Sequence, residues 1–160
     1  MFKELVESLI KQKLTIATYE SLTGGLFTSL LTDVPHASLT VKGSLVTYTN
    51  AIKVQVGHVN AETIDQYGVV SAETAFAMAQ ACQKLFASDI SVSFTGNAGP
   101  GVLDNLPVGV VYCCICYNDK TYPLAFNFNP TLTRGEIKLA VCQAVCKELL
   151  KIVEKIKGKS

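Results

Sequence analysis

Ser21 and Lys53 are the two residues whose types could together carry out nucleophilic chemistry in this chain. A serine hydroxyl is a weak nucleophile unless a neighbouring base takes its proton. The chain has only two histidines, and both sit in loop sequence, His36 after Pro35 and His58 after Gly57. Nothing around either one suggests a Ser–His–Asp arrangement. A neutral lysine can do the same work if burial or nearby positive charge lowers its pKa several units from about 10.4. Lys53 is the candidate because Tyr48-Thr49-Asn50-Ala51-Ile52-Lys53 follows a strand-like run, in a region where strand ends would converge. The alternative is an ordinary solvated lysine, like Lys42 nearby in the chain.

Ser21 lies in Tyr19-Glu20-Ser21-Leu22-Thr23-Gly24-Gly25. The short β-branched run 14–18 precedes this turn, and Leu26-Phe27-Thr28-Ser29-Leu30-Leu31 after it reads as helix. Glycines let a backbone approach a ligand closely, and a helix start offers unpaired N–H groups to an anion or oxyanion. The alternative is a plain tight turn with Ser or Thr as helix cap. No Walker lysine follows the glycines, so the turn is not a P-loop. A second glycine-rich loop, Thr95-Gly96-Asn97-Ala98-Gly99-Pro100, follows another strand-like run. Arg134 opens the last helix, where the dipole prefers acids. Such a conflict fits either an anion grip or a solvated surface arginine.

Hydrophobic periodicity supplies the elements that must position these residues. It predicts helices over about 2–12, 24–32, 51–56, 61–67, 71–86 and 133–157, and strands over 14–19, 43–49, 90–94, 108–117 and 121–128. Asn60 and Ser71 read as helix caps, and Thr133 with Glu136 has the capping-box spacing. Ala75, Met78, Ala79, Cys82, Leu85 and Phe86 form one apolar stripe; Ile137, Val141, Val145, Leu149, Ile152 and Ile156 form another. Gly158-Lys159-Ser160 reads as a frayed tail. The last two strands form a hairpin, so the sheet is mixed.

At 160 residues the chain reads as one domain with room for a real core. A formal net charge of +1 gives no basic footprint for nucleic acid. No run approaches the ~20 apolar residues of a membrane span. Residues 2–11 alternate apolar and charged positions at helical spacing and lack a cleavage site, so the sequence points to the cytoplasm rather than to secretion. Cys82, Cys113, Cys114, Cys116, Cys142 and Cys146 contain no Cys-x-x-Cys and have no adjacent histidine. They read as small buried hydrophobes rather than as a metal or redox site.

Five segments together resemble the CinA C-terminal-domain family: Glu-Ser-Leu-Thr-Gly-Gly (20–25), Val-Thr-Tyr-Thr-Asn-Ala-Ile-Lys (46–53), Tyr-Gly-Val-Val-Ser-Ala-Glu-Thr-Ala (67–75), Thr-Gly-Asn-Ala-Gly-Pro (95–100) and Pro-Val-Gly-Val-Val-Tyr (107–112). They keep the family's order and spacing over about residues 14–140, and the chain resembles the stand-alone form. Members of that family include nicotinamide-nucleotide amidases, which deamidate nicotinamide mononucleotide. The resemblance implies a three-layer α/β/α sandwich with a five-stranded mixed sheet. It also implies a Ser–Lys amidohydrolase with neither metal nor cofactor, acting on a small nucleotide, and is compatible with a homodimer. On this reading Ser21 is the nucleophile, Lys53 the base and Tyr48 an active-site tyrosine. Thr23, Gly24, Gly25, Thr95, Gly96, Asn97 and Arg134 would surround the substrate. The chain departs from the family at Tyr19 (usually Ala), at Leu22 (usually Cys), in the loop 101–106 and at Leu132-Thr133. Those departures support a second reading, a nucleotide-binding or regulatory protein that kept the pocket and lost turnover.

Overall fold

The computed structural model describes residues 1–157, so the tail expected at 158–160 lies outside the described residues. Five strands form one mixed sheet in the order β2-β1-β3-β4-β5. They are β1 (Ile16–Glu20), β2 (Val41–Val46), β3 (Ile90–Gly96), β4 (Val110–Tyr117) and β5 (Lys120–Asn127). The first three run parallel, while β4 and β5 are antiparallel additions closed by a tight hairpin. Helices α1 (Phe2–Gln12), α2 (Leu26–Thr32) and α6 (Arg134–Lys157) cover one face; α5 (Ala72–Phe86), with α4 (Ala61–Tyr67), covers the other. The expected three-layer α/β/α architecture with a five-stranded mixed sheet is therefore present.

Strand alternation sorts the two faces. Ile16, Ile90, Val92, Phe94, Val111, Cys113 and Ile115 join Leu5, Leu9, Phe27, Leu31 and the α6 stripe in the larger core. On the other face, small residues gather where β3 and β4 meet α5. Ser91, Ser93, Cys114 and Cys116 meet Ala75 and Ala79 of α5, and the Ser91 and Ser93 hydroxyls donate to the Ala79 and Ala75 carbonyls. Small side chains on both surfaces bring the helix close enough for those bonds, which satisfy hydroxyls that burial would otherwise penalise. All six cysteines are free and buried. Leu85, expected in the α5 stripe, is exposed, and Ile156 of the α6 stripe is only partly buried.

Several boundaries differ from the sequence expectation, each for a local reason. Strand β2 ends at Val46 rather than at 49, because residues 47–49 turn their backbone toward the next helix, α3 (Asn50–Gln55), which Thr49 caps. Helix α2 begins at Leu26 rather than 24, because Gly24 (φ 59°) and Gly25 (φ 100°) both adopt left-handed conformations that end any helix. Strand β3 continues through Thr95 and Gly96, which pair with Tyr112 and Val111. A short 3-10 turn at Ala37–Leu39 was not anticipated.

The start of α2 has no side-chain cap from its own N-cap residue, Gly25. Its cap comes instead from the end of β1. The fully buried Glu20 carboxylate accepts the Phe27 and Thr28 amides (3.0 and 3.1 Å) and the Thr28 and Thr18 hydroxyls (2.8 and 3.1 Å). The helix-start amides foreseen for an anionic ligand are thus occupied by the protein's own carboxylate. It sits at the positive end of the helix dipole, where a negative charge is favoured. Glu20→Ala is expected to lower stability by about 2–4 kcal/mol by leaving one buried and one partly buried amide without acceptors. Urea unfolding measures this, and an unchanged midpoint would show that the clamp contributes nothing.

Candidate active site

The parallel strands β2, β1 and β3 all end at the same edge of the sheet. The chain leaves β1 toward β2 on one side and later returns to β3 on the other, so the crevice beside β1 is a topological switch point, a preferred ligand position in open α/β sheets. The β1 turn carries Ser21, the segment after β2 carries Tyr48 and Lys53, and the β3 loop carries Asn97. Backbone bonds extend the ladder one residue beyond β1 on both sides: the Ser21 amide donates to Phe94 O (3.1 Å), and the Thr47 amide to Glu20 O (3.2 Å). The turn is therefore held rigidly where the strands stop.

Lys53 is 0% exposed. Its Nζ lies 2.9 Å from Ser21 Oγ, 3.0 Å from the Thr47 carbonyl and 3.2 Å from the Tyr48 carbonyl. Burial lowers its pKa from 10.5 to about 8. A neutral amine has two N–H groups and one lone pair. With the two carbonyls taking the N–H groups, the lone pair is left for the Ser21 hydroxyl proton. This is the geometry of an activated serine.

A cavity of about 280 Å³ opens over this pair, lined by Ser21, Leu22, Tyr48, Gly96, Asn97, Gly101, Val102, Leu103 and Arg134. Tyr48 contributes in two places. Its carbonyl holds Lys53, while its side chain, 57% exposed, meets Arg134 at the cavity mouth. Arg134 Nη2 donates to the Tyr48 hydroxyl and Nη1 to Gly99 O, so the guanidinium links three segments across the mouth. It sits within the capping box Thr133/Glu136, whose bonds measure 2.8 and 3.2 Å.

Three residues expected around the substrate serve the scaffold as well or instead. Thr95 is buried and donates to Val69 O, away from the cavity. Asn97 lines the cavity, but its amide is taken up by Leu103 and Leu106 of its own loop, through both nitrogen protons and the oxygen. A Cβ at Gly96 would lie 2.7 Å from Val110 O, so this position is small because the neighbouring strand is close. Thr23 differs: its hydroxyl is buried and has no partner among the described residues. Around it, the Gly24 and Leu26 amides are bonded to Ser21 O and Thr23 O, and the Leu22, Thr23 and Gly25 amides have no acceptor among the described residues.

Sequence reasoning missed Lys138. It lies one helical turn beyond Arg134, and a Cβ at Gly24 would be 3.7 Å from its Nζ. The spacing of two cations four apart at the start of a helix was the available signal. Among the described residues no group of three or more His, Cys, Asp or Glu is placed to hold a metal ion, and no helix is long and apolar enough to cross a membrane.

The family model for the CinA C-terminal domain matches residues 1–153. The chain belongs to the CinA C-terminal domain family. A putative competence-damage inducible protein of Lysinibacillus sphaericus is 39% identical over 149 residues, covering 93% of this chain and 35% of that protein. The corresponding Bacillus subtilis protein is 39% identical over 154 residues, covering 96% and 36%. The chain thus spans about a third of the length of the curated relatives it matches. Among solved structures, a competence/damage inducible protein of Agrobacterium tumefaciens superposes with a TM-score of 0.86 at 31% identity, covering 94% of each chain. A CinA superfamily protein of Klebsiella pneumoniae gives 0.92 at 21% identity over 96% of each chain, a likeness of fold.

The buried amine has a stability consequence. Below pH 8 Lys53 is charged in both folded and unfolded chains, and the folded state carries the full desolvation cost. From about 8 to 10.5 the folded form loses its proton first, so stability rises with pH; above 10.5 the effect is complete. Thermal melts of the wild type and Lys53→Met are expected to show the variant's advantage shrinking as pH rises through that window. A constant difference would contradict a depressed Lys53 pKa.

Proposed function

We propose that the protein is a serine amidohydrolase that converts nicotinamide mononucleotide to nicotinate mononucleotide and ammonia. The observation that carries this reading is the 2.9 Å approach of Lys53 Nζ to Ser21 Oγ, with the two remaining amine positions taken by carbonyls. Family membership supports the choice of amide chemistry and of a nucleotide substrate.

Ser21 Oγ attacks the carboxamide carbon as its proton passes to Lys53. The carbonyl π electrons move to oxygen, and the Leu22 amide, next to the nucleophile and without another acceptor among the described residues, is the backbone donor proposed for that oxyanion. The protonated Lys53 then gives its proton to the departing nitrogen. The C–N bond breaks, ammonia leaves and an ester to Ser21 remains. A water molecule attacks this ester with Lys53 again as base, and the C–O bond to Ser21 breaks to release the carboxylate. Arg134 and Lys138 supply positive charge at the side of the turn where a phosphate would be held.

One observation favours the alternative of a nucleotide-binding protein without turnover. The cavity volume of 280 Å³ is small beside the ~300–1,000 Å³ usual for ligand pockets, and the Arg134–Tyr48 contact crosses its mouth. Calorimetry with nicotinamide mononucleotide, run beside an ammonia assay, separates the two, because binding without ammonia release supports the alternative.

Ser21→Ala and Lys53→Ala are each expected to reduce ammonia release by about 10³-fold or more while leaving a folded protein. In the wild type, kcat/KM should rise with pH with a midpoint near 8 as Lys53 becomes neutral. Full activity in either variant would remove the dyad.

A further inference from the structure

Lys53 rides on α3, a helix of six residues, far too short to be stable alone. Something else must fix its position. The two residues that end β1 supply that support from both sides of the strand. Glu20 O accepts the Thr47 amide (3.2 Å), and the Tyr19 hydroxyl accepts the Thr47 side-chain hydroxyl (3.1 Å). Thr47 is thereby held at two points, and its remaining backbone polar group, the carbonyl, faces Lys53 Nζ at 3.0 Å. Tyr19 also touches the other end of α3. A Cβ at Gly57 would overlap the Tyr19 hydroxyl, only 1.7 Å away, so that oxygen occupies the space a side chain would take. One fully buried phenol therefore contacts the chain both before and after the helix that carries the base.

We infer that Tyr19 is a positioning residue for the Ser21–Lys53 pair: through Thr47 it fixes the carbonyl that takes one Lys53 N–H and so directs the amine lone pair at Ser21. This rests on the amidohydrolase reading above for its effect on rate, but not for its effect on Lys53 itself. Losing the hydroxyl removes no substrate contact. It frees the Thr47 side chain and lets the carbonyl and the start of α3 shift by fractions of an ångström, enough to spoil a proton transfer. Burial raises the Tyr19 pKa, so the hydroxyl keeps its proton throughout the working range. The other titratable group against it is Cys82 of α5, whose thiol burial pushes up to about 12. Among the described residues no carboxylate pairs with Lys53.

The test uses the whole chain with Tyr19→Phe, Thr47→Val, Thr47→Ser and the double variant Tyr19→Phe/Thr47→Val. Two readouts are followed: ammonia release from nicotinamide mononucleotide, and the NMR titration of the Lys53 ε-methylene. Tyr19→Phe and Thr47→Val are each expected to lower kcat about tenfold or more with KM nearly unchanged, and Thr47→Ser to keep most activity. The double variant should be no worse than either single, because both remove one bond. In Tyr19→Phe the Lys53 midpoint should move from about 8 toward 10.5 as the amine loosens and hydrates. Wild-type kcat in Tyr19→Phe, or additive losses in the double variant, would overturn the proposal. If the wild type releases no ammonia, the amidohydrolase reading fails, and the NMR titration alone then decides. A shifted midpoint in Tyr19→Phe and Thr47→Val, restored in Thr47→Ser, supports the role of Tyr19; an unmoved one ends it.

Discussion

A lysine amine held out of water, with no carboxylate beside it among the described residues, is the constraint around which this fold is arranged. Charged, Lys53 would cost several kcal/mol to bury. Neutral, it still needs partners for two N–H groups. The structure supplies them from the backbone, using the Thr47 and Tyr48 carbonyls rather than an anionic side chain. That choice matters for chemistry. A carboxylate partner would hold the lysine protonated and useless as a base, whereas a carbonyl accepts a hydrogen bond from either form. The early end of β2 serves the same requirement: Thr47 keeps its amide on β1, while its carbonyl and that of Tyr48 turn onto the lysine.

Strand β1 distributes the work by alternation. Tyr19 points to the α5 side and Glu20 to the α2 side, and Ser21 stands at the tip. Tyr19 supports the segment that carries the base. Glu20 caps the helix that follows the nucleophile. Three adjacent residues thus control the base, the turn and the nucleophile, each by a different bond on a different face. A one-residue slip of β1 would exchange these faces and destroy all three functions at once. Parallel pairing on both sides, extended by the Ser21 and Thr47 amides, makes that slip costly.

Much of this was legible in the sequence, for identifiable reasons. The β1–turn–α2 unit was readable because β-branched residues, paired glycines and an apolar run have distinct backbone preferences. The mixed sheet followed from the absence of a crossover helix between the last two strands. The meeting of Ser21 and Lys53 was a different kind of reading. No local pattern measures a distance across 32 residues, so it came from the resemblance of five segments to a known family rather than from propensity. Polar loop residues were the least legible. Thr95 and Asn97 look like ligand groups in sequence, but a loop as long as 97–109 must satisfy its own backbone, and Asn97 is consumed in doing so. Glu20 was passed over because caps are sought beside the helix start, whereas this one comes from the preceding strand. Lys138 was passed over because lysines in a long helix are usually solvated.

The departure at Tyr19 can then be judged by what it does rather than by its rarity. In place of a small residue it puts a phenol into the second core, where its ring is fully buried with Val59, Ile64, Val69 and Met78. That burial contributes stability on the order of 2 kcal/mol. Its hydroxyl would be a liability there unless bonded, and Thr47 supplies the bond. The same oxygen demands that residue 57 have no side chain, and residue 57 is glycine. Through that one atom Tyr19 both bonds Thr47 and fills the space beside Gly57. A small residue at 19 would leave Thr47 held by its amide alone, while a Cβ at 57 would still lie 2.7 Å from the Lys53 carbonyl. Packing and chemistry meet at that oxygen, because the contact that fills the core is also the contact that aligns the base.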